Sequence, residues 1–287
     1  MGYLNLLKRC NNFSGYGFYD FLQGDDQRIG WVHDSHIMAL RGFENGFVIN
    51  DQARTLRFVE DLTTPADRTA LMVKVGLKLR EDGLLGPWRN ELYPVKRKWE
   101  DESLFDIERA MTPYFGIRAF GVHMNGFVRT KEGLKMWIAK RSMTKATSPG
   151  MWDNMVAGGQ PVGLSLRENM IKECAEEAGV PAGLAGRVKQ VGVVAYNMQV
   201  GANLKPDVLY CYDLELPVDF IPRNVDGEVD DFQLIGMTDL CTLLCETCEV
   251  KENSALVMLD FLLRHGVLNR EKIKNFDWIK ESLVTPA

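Results

Sequence analysis

Three carboxylates, Glu173, Glu176 and Glu177, stand close together in one short run of the chain. If the run is helical, at about 100° per residue they share an arc of roughly 100° on one face. That placement costs energy. Acids are disfavoured at the end of a helix, where the macrodipole is negative. Glu173 and Glu177 also repel one another at i, i+4. A hard divalent cation turns this repulsion into coordination, because such ions prefer carboxylate oxygens together with water and phosphate. The bland alternative is a solvated acidic helix face, which needs no function.

The elements that must position these acids are legible around them. Gly158-Gly159-Gln160-Pro161-Val162-Gly163 reads as a Gly-rich turn. Ser165, with Glu168 three residues on, makes a capping box that starts a helix. The helix is expected to run to Ala178, with Gly179 as its left-handed terminator. Leu166, Ile171, Cys174 and Ala178 point away from the acids and can bury.

The whole stretch Gly158–Val180 resembles the Nudix box, G-x5-E-x7-R-E-U-x-E-E-x-G-U, where U is bulky and apolar. Gly158, Glu173, Glu176, Glu177, Gly179 and Val180 match, and Cys174 serves as the apolar position. Leu164 stands where the pattern has its first Glu, and Lys172 replaces the Arg. Lys offers a point charge where Arg offers a planar fork.

The similarity extends along the chain to a Nudix subfamily in which a domain of unknown function precedes the hydrolase. It is carried by Gly30-Trp31-Val32, Gly192–Tyr196, Tyr210–Pro217, Asn224–Val229 and Asp260–Gly266. Some members of that group are associated with thiamine pyrophosphokinase. The resemblance implies Mg²⁺-dependent hydrolysis of thiamine diphosphate, or of its oxo and oxy analogues, to the monophosphate.

Carried over position by position, the resemblance implies that Glu173 and Glu177 ligate Mg²⁺, with Mn²⁺ as a substitute. Glu176 is a third ligand or an outer acid, and Lys172 holds one of the box glutamates. Either Glu173 or Glu228 activates water. Glu228 is equally readable as a turn acid beside Gly227. Gly158 and Gly159 let backbone approach phosphate or metal. Arg118, Lys140, Arg141 and Lys205 are candidate diphosphate contacts, although single surface charges of this kind are commonly just solvated.

Other substrates of the same fold remain open: a nucleoside diphosphate sugar, a dinucleotide or coenzyme A. So does a non-catalytic ligand sensor, and so does an isomerase of allylic diphosphates, for which Cys211 would be the residue to mutate.

The chain has 287 residues, 46% hydrophobic and 25% charged, with a net charge of −5. That balance argues against a nucleic-acid partner bound through a basic surface. No apolar run reaches the roughly 18 residues of a membrane span, and the start lacks an apolar signal core. A cytoplasmic protein with a small-molecule diphosphate partner is expected, and a homodimer is left open. Cys241, Cys245 and Cys248 read as one helix face, since no His or fourth Cys completes a zinc site.

Two domains are expected, residues 1–115 and residues 116–287. The first reads as a smaller α+β domain. It holds a hairpin of Phe18–Leu22 with Arg28–Val32 turning at Gly24-Asp25-Asp26, a helix over Thr64–Leu79, and a short helix over Ser103–Ala110 stopped by Pro113. No catalytic cluster stands out in it. The second reads as an α/β (α+β) fold of the Nudix type, an α/β/α sandwich around a mixed sheet. Its strands are expected near residues 119–128, 135–140, 152–157, 188–200, 207–216 and 231–235.

Overall fold

The computed structural model describes residues 2–24 and 26–284. Asp25, in the expected hairpin turn, lies outside the described residues. The chain begins with helix α1 (Tyr3–Cys10), strands β1 (Phe18–Gln23) and β2 (Gln27–His33), helix α2 (Asp34–Leu40), and strands β3 (Phe47–Asn50) and β4 (Thr55–Phe58). Helix α3 (Pro65–Glu81) follows, capped by Thr64 and Asp67 with Pro65 in its first turn. Strands β5 (Leu92–Val95) and β6 (Phe105–Glu108) then form a two-stranded antiparallel ribbon, and a 3₁₀ turn covers Arg109–Met111.

The expected helix over Ser103–Ala110 is corrected to this strand and turn. Phe105 and Ile107 alternate at period two and bury together opposite β5. A strand needs that spacing, and a helix would have turned the pair apart.

The second body contains β7 (Phe120–Thr130), β8 (Gly133–Arg141), β9 (Trp152–Asn154), β10 (Val156–Gly159), α4 (Leu166–Ala178) and α5 (Ala182–Ala185). It continues with β11 (Lys189–Ala195), β12 (Met198–Val200), β13 (Asn203–Lys205), β14 (Val208–Glu215) and β15 (Val229–Gly236). Helices α6 (Met237–Glu246), α7 (Glu252–Arg264) and α8 (Phe276–Ser282) close it. Its main sheet runs β11-β14-β7-β8-β15 and is mixed, with β14 and β7 parallel and the other pairs antiparallel.

Strands β7 and β8 splay at one end. β10 pairs with β7 there, and β9 with β8. The single strand expected over 152–157 is thus two, broken at Met155, because each half follows a different partner.

One core cluster lies on the α4–α5 side of this sheet and another on the α6–α7–α8 side, giving the α/β/α sandwich. A third cluster fills the N-terminal domain. Phe115 belongs to that core and Phe120 to the next. Helix α1 departs from the expected division. Leu6, Leu7 and Cys10 bury against α7 and its neighbours, so the first helix packs with the second body. Among the described residues no helix is long and apolar enough to cross a membrane.

Candidate active site

Helix α4 forms for the reasons its sequence suggests. The Ser165 hydroxyl accepts from the Glu168 amide at 3.2 Å, and the Glu168 carboxylate accepts from the Ser165 amide at 2.9 Å. At the other end Gly179 adopts φ +60°, the left-handed cap. Leu166, Met170, Cys174 and Ala178 bury on one face. An adjoining part of the same buried side, carrying Asn169, Glu173 and Glu177, lies along β10, whose Gly158 and Gly159 pair with Val122 and Gly121 of β7.

Two of the three acids are anchored on that strand. Glu177 accepts a hydrogen bond from the Ala157 amide at 2.8 Å. The Glu173 carboxylate lies against Gly158 so closely that a Cβ there would come within 2.4 Å of its Cδ. A side chain at 158 would displace the Glu173 carboxylate from this position. Glu176 points outward, with its carboxylate 2.5 Å from Lys172 Nζ. The same Lys172 nitrogen lies 3.3 Å from Glu173.

The electrostatics separate the acids. Glu177 is only 8% exposed, and among the described residues no cationic side chain pairs with it. Burial, opposed by the Ala157 hydrogen bond and reinforced by Glu173, Asp153 and Glu228, pushes its carboxyl well above the usual range. Burial also raises Glu173, against the pull of Lys172, with Glu176 and Glu91 adding to the rise. Glu228 goes the other way. Burial would raise it, but its bond to Lys145 and the fields of Lys145, Arg109 and Arg141 bring it down.

A buried carboxylate without a countercharge is costly. A hard divalent cation would remove that cost, and an all-oxygen donor set suits such an ion. The residues present fit one in chemistry, with Glu173 and Glu177 as its first partners. Among the described residues, no three of the acids converge into a finished cage.

The expected phosphate contacts are distributed unevenly. Lys140 and Arg141 are neighbours on β8, so their side chains leave opposite faces. Lys140 Nζ stands 4.6 Å over the Trp152 ring. Arg141 is corrected from a substrate contact to a buried support. Its guanidinium is held by Asp153 at 2.7 Å and by the Thr147 and Ser148 carbonyls, with no open side for an anion. Arg118 spans the domain junction and donates to the Arg97 carbonyl. Lys205 stands 3.7 Å from Asp207.

Several residues at the site gave no signal in the sequence. Strand β5 lies against the box turn, where the Leu92 carbonyl accepts from the Val162 amide at 2.9 Å. The Tyr93 hydroxyl occupies the place of a Gly159 side chain, 1.5 Å from where its Cβ would be. Arg109 pairs with Glu91 at 2.8 Å. Lys145, on the loop after β8, holds Glu228. The period-two alternation of Phe105 and Ile107 was the one local clue to where Arg109 goes.

Residues 2–119 match the family model described as a domain of unknown function (DUF4743), and residues 120–253 match the NUDIX domain. The chain is similar to Nudix hydrolase 20, chloroplastic, of Arabidopsis thaliana, at 40% identity over 278 residues, covering 94% of this chain and 74% of that one. Nudix hydrolase 24, chloroplastic, of the same plant is 40% identical over 272 residues, with the same coverage of 94% and 74%. An uncharacterized protein of Saccharomyces cerevisiae is 33% identical over 282 residues, covering 91% of this chain and 81% of that one. Similarity of this extent spans both domains together with the glutamates on α4, and on that ground the chain belongs to the Nudix hydrolases, enzymes that cleave diphosphate linkages.

Proposed function

We propose that this chain hydrolyses a small diphosphate ester with the help of Mg²⁺, or Mn²⁺ in its place, held by Glu173 and Glu177. The observation that carries the reading is Glu177, a buried carboxylate beside Glu173 with no cationic partner among the described residues. A bound divalent ion supplies charge neutralisation on the diphosphate oxygens as the P–O bond breaks.

The chain's own groups divide the remaining work. Gly158 and Gly159 let the Glu173 carboxylate and the Tyr93 hydroxyl close on β10. Lys172 fixes Glu173 and Glu176 in place. Glu176, facing solvent, acts as an outer acid. Glu228, bound by Lys145, is a weak candidate to take a proton, which leaves Glu173 as the base that orients and deprotonates water. The absence of an acid at Leu164 fits a small number of metal ions.

The substrate we infer from the subfamily resemblance is thiamine diphosphate or an oxo or oxy analogue, cleaved to the monophosphate and phosphate. The test is a panel with the full chain and Mg²⁺, reading product release from thiamine diphosphate, its analogues, a nucleoside diphosphate sugar, a dinucleotide and coenzyme A. Preferential cleavage of the thiamine compounds is the expected result. Preference for a nucleotide would replace that substrate, and tight binding without product from any compound would replace hydrolysis by ligand sensing.

A further inference from the structure

The N-terminal domain reaches the box turn with a polar group that nothing in the fold uses. Tyr93 is 5% exposed, and its hydroxyl has no hydrogen-bond partner among the described residues. The ring is buried, but the unpartnered hydroxyl oxygen is not sealed from solvent, so it is open to a solute. It ends at Gly159, the last residue of β10, just before the turn that leads into α4. Burial and the fields of Glu91, Asp207 and Glu173, against that of Arg109, keep it protonated and able to donate.

Arg109 stands beside it. Its guanidinium carbon is 5.5 Å from the centre of the Tyr93 ring. Only Nη1 is engaged, with Glu91, so the other nitrogens have no partner among the described residues. The side chain is 46% exposed, yet it feels Tyr93, Glu91 and Glu228 together. It therefore sits at the acidic site while remaining open to a solute.

The other cations nearby are occupied: Lys172 by Glu173 and Glu176, Lys145 by Glu228, and Arg141 by Asp153. The ribbon that carries Arg109 is locked from beneath. The Glu108 carboxylate accepts from the amides of Arg89 at 2.8 Å, Glu91 at 3.1 Å and Ala110 at 3.3 Å.

We propose that the N-terminal domain completes the substrate site, with the Arg109 fork and the Tyr93 hydroxyl binding the diphosphate group beside the end of β10 at Gly158 and Gly159. This deepens the hydrolase reading and rests on it for the identity of the anion. An arginine with unused donors, fixed in orientation, matches two phosphate oxygens at once. A phenol beside it adds a single neutral donor.

The test uses the full chain and imidodiphosphate, a non-hydrolysable probe, titrated calorimetrically with Mg²⁺ present, alongside turnover of the best compound in the panel. Arg109→Ala is expected to weaken imidodiphosphate binding and raise KM by about 10- to 100-fold, the size of a lost charge-assisted hydrogen bond. Arg109→Lys should recover only part of this. Tyr93→Phe should cost about 3- to 10-fold, the size of a neutral hydrogen bond.

Glu91→Ala separates binding from support. Arg109 acting on substrate predicts probe binding kept within a few-fold, whereas a loss equal to that of Arg109→Ala would mean that the pair only braces the ribbon, and would overturn the proposal. If Arg109→Ala does not fold, Arg109→Lys decides, because wild-type affinity and KM in that variant overturn the proposal. Wild-type turnover with an unchanged Arg109→Ala would sink this inference and leave hydrolysis standing. Probe binding that depends on Arg109, without turnover of any diphosphate by the wild type, would do the reverse.

Discussion

Asp153 and Glu177 are both buried carboxylates, close enough for each to feel the other's charge, and they are treated in opposite ways. Asp153 is surrounded by donors: Arg141 at 2.7 Å, Lys251 at 3.2 Å, the Ser254 hydroxyl and the Asn154 amide at 2.8 Å. Burial would raise it, but Lys251, His123, Arg141 and Ser254 together hold it far below the usual range. Glu177 has the Ala157 amide and otherwise like charges. The first acid is finished by the fold and tethers α7 to β9. The second is left unfinished, as expected of a group whose partner arrives from solution.

The largest effect should come from Glu177→Gln. The amide keeps the shape and can still accept from Ala157, so the fold should survive. Turnover should drop by about 10²- to 10⁴-fold, the scale of losing a group that acts at the reacting centre. Added Mg²⁺ should raise the melting temperature of the wild type and not that of the variant, by mass action on the folded state. Near wild-type turnover would place Glu177 with Asp153 as a structural acid.

Asp153→Ala should reverse the pattern. It strands Arg141 and Lys251 without their shared partner, at a cost of about 3–5 kcal/mol, readable in a denaturant melt. An unfolding curve like that of the wild type would erase the contrast from the other side.

The smallest effect is a pH slope from the network around Asp153. Burial, aided by Lys251 and Arg141 and opposed by Asp153 and Asn154, holds His123 down at about 4. An unfolded histidine titrates near 6.5. Between those values the unfolded chain takes up a proton that the folded chain refuses. The contribution is therefore fully present above about pH 6.5 and lost as pH falls toward 4, with a slope of at most about 1.4 kcal/mol per pH unit. His123→Gln should flatten that part of the stability curve. An unchanged slope would show that His123 stays neutral for no energetic reason.

What the sequence made readable was local. The capping box at Ser165, the left-handed Gly179 and the acids on α4 depend on residues a few positions apart, and the structure has them in that form. The sequence marks Gly158 as a place for phosphate or metal to approach, whereas the neighbour that fills its missing side chain is the Glu173 carboxylate. What stayed hidden depends on distant pairing. Arg109 reaches the site only because β6 pairs with β5 and β5 abuts the turn after β10; the alternation of Phe105 and Ile107 marks a strand but not its partner. The role of Asp153 was hidden for the same reason, since its partners Arg141, Lys251 and Ser254 are scattered along the chain. The packing of helix α1 on α7 likewise joins residues from opposite ends of the chain.

At residue 159 a single hydrogen stands where any other amino acid would carry carbon, and the ring of Tyr93 fills the vacancy. A methyl group there would push the Tyr93 ring away from β10, and a smaller residue at 93 would leave a hole beside it. The two positions, 66 residues apart in the chain, are therefore sterically coupled: what 93 can carry depends on the missing side chain at 159.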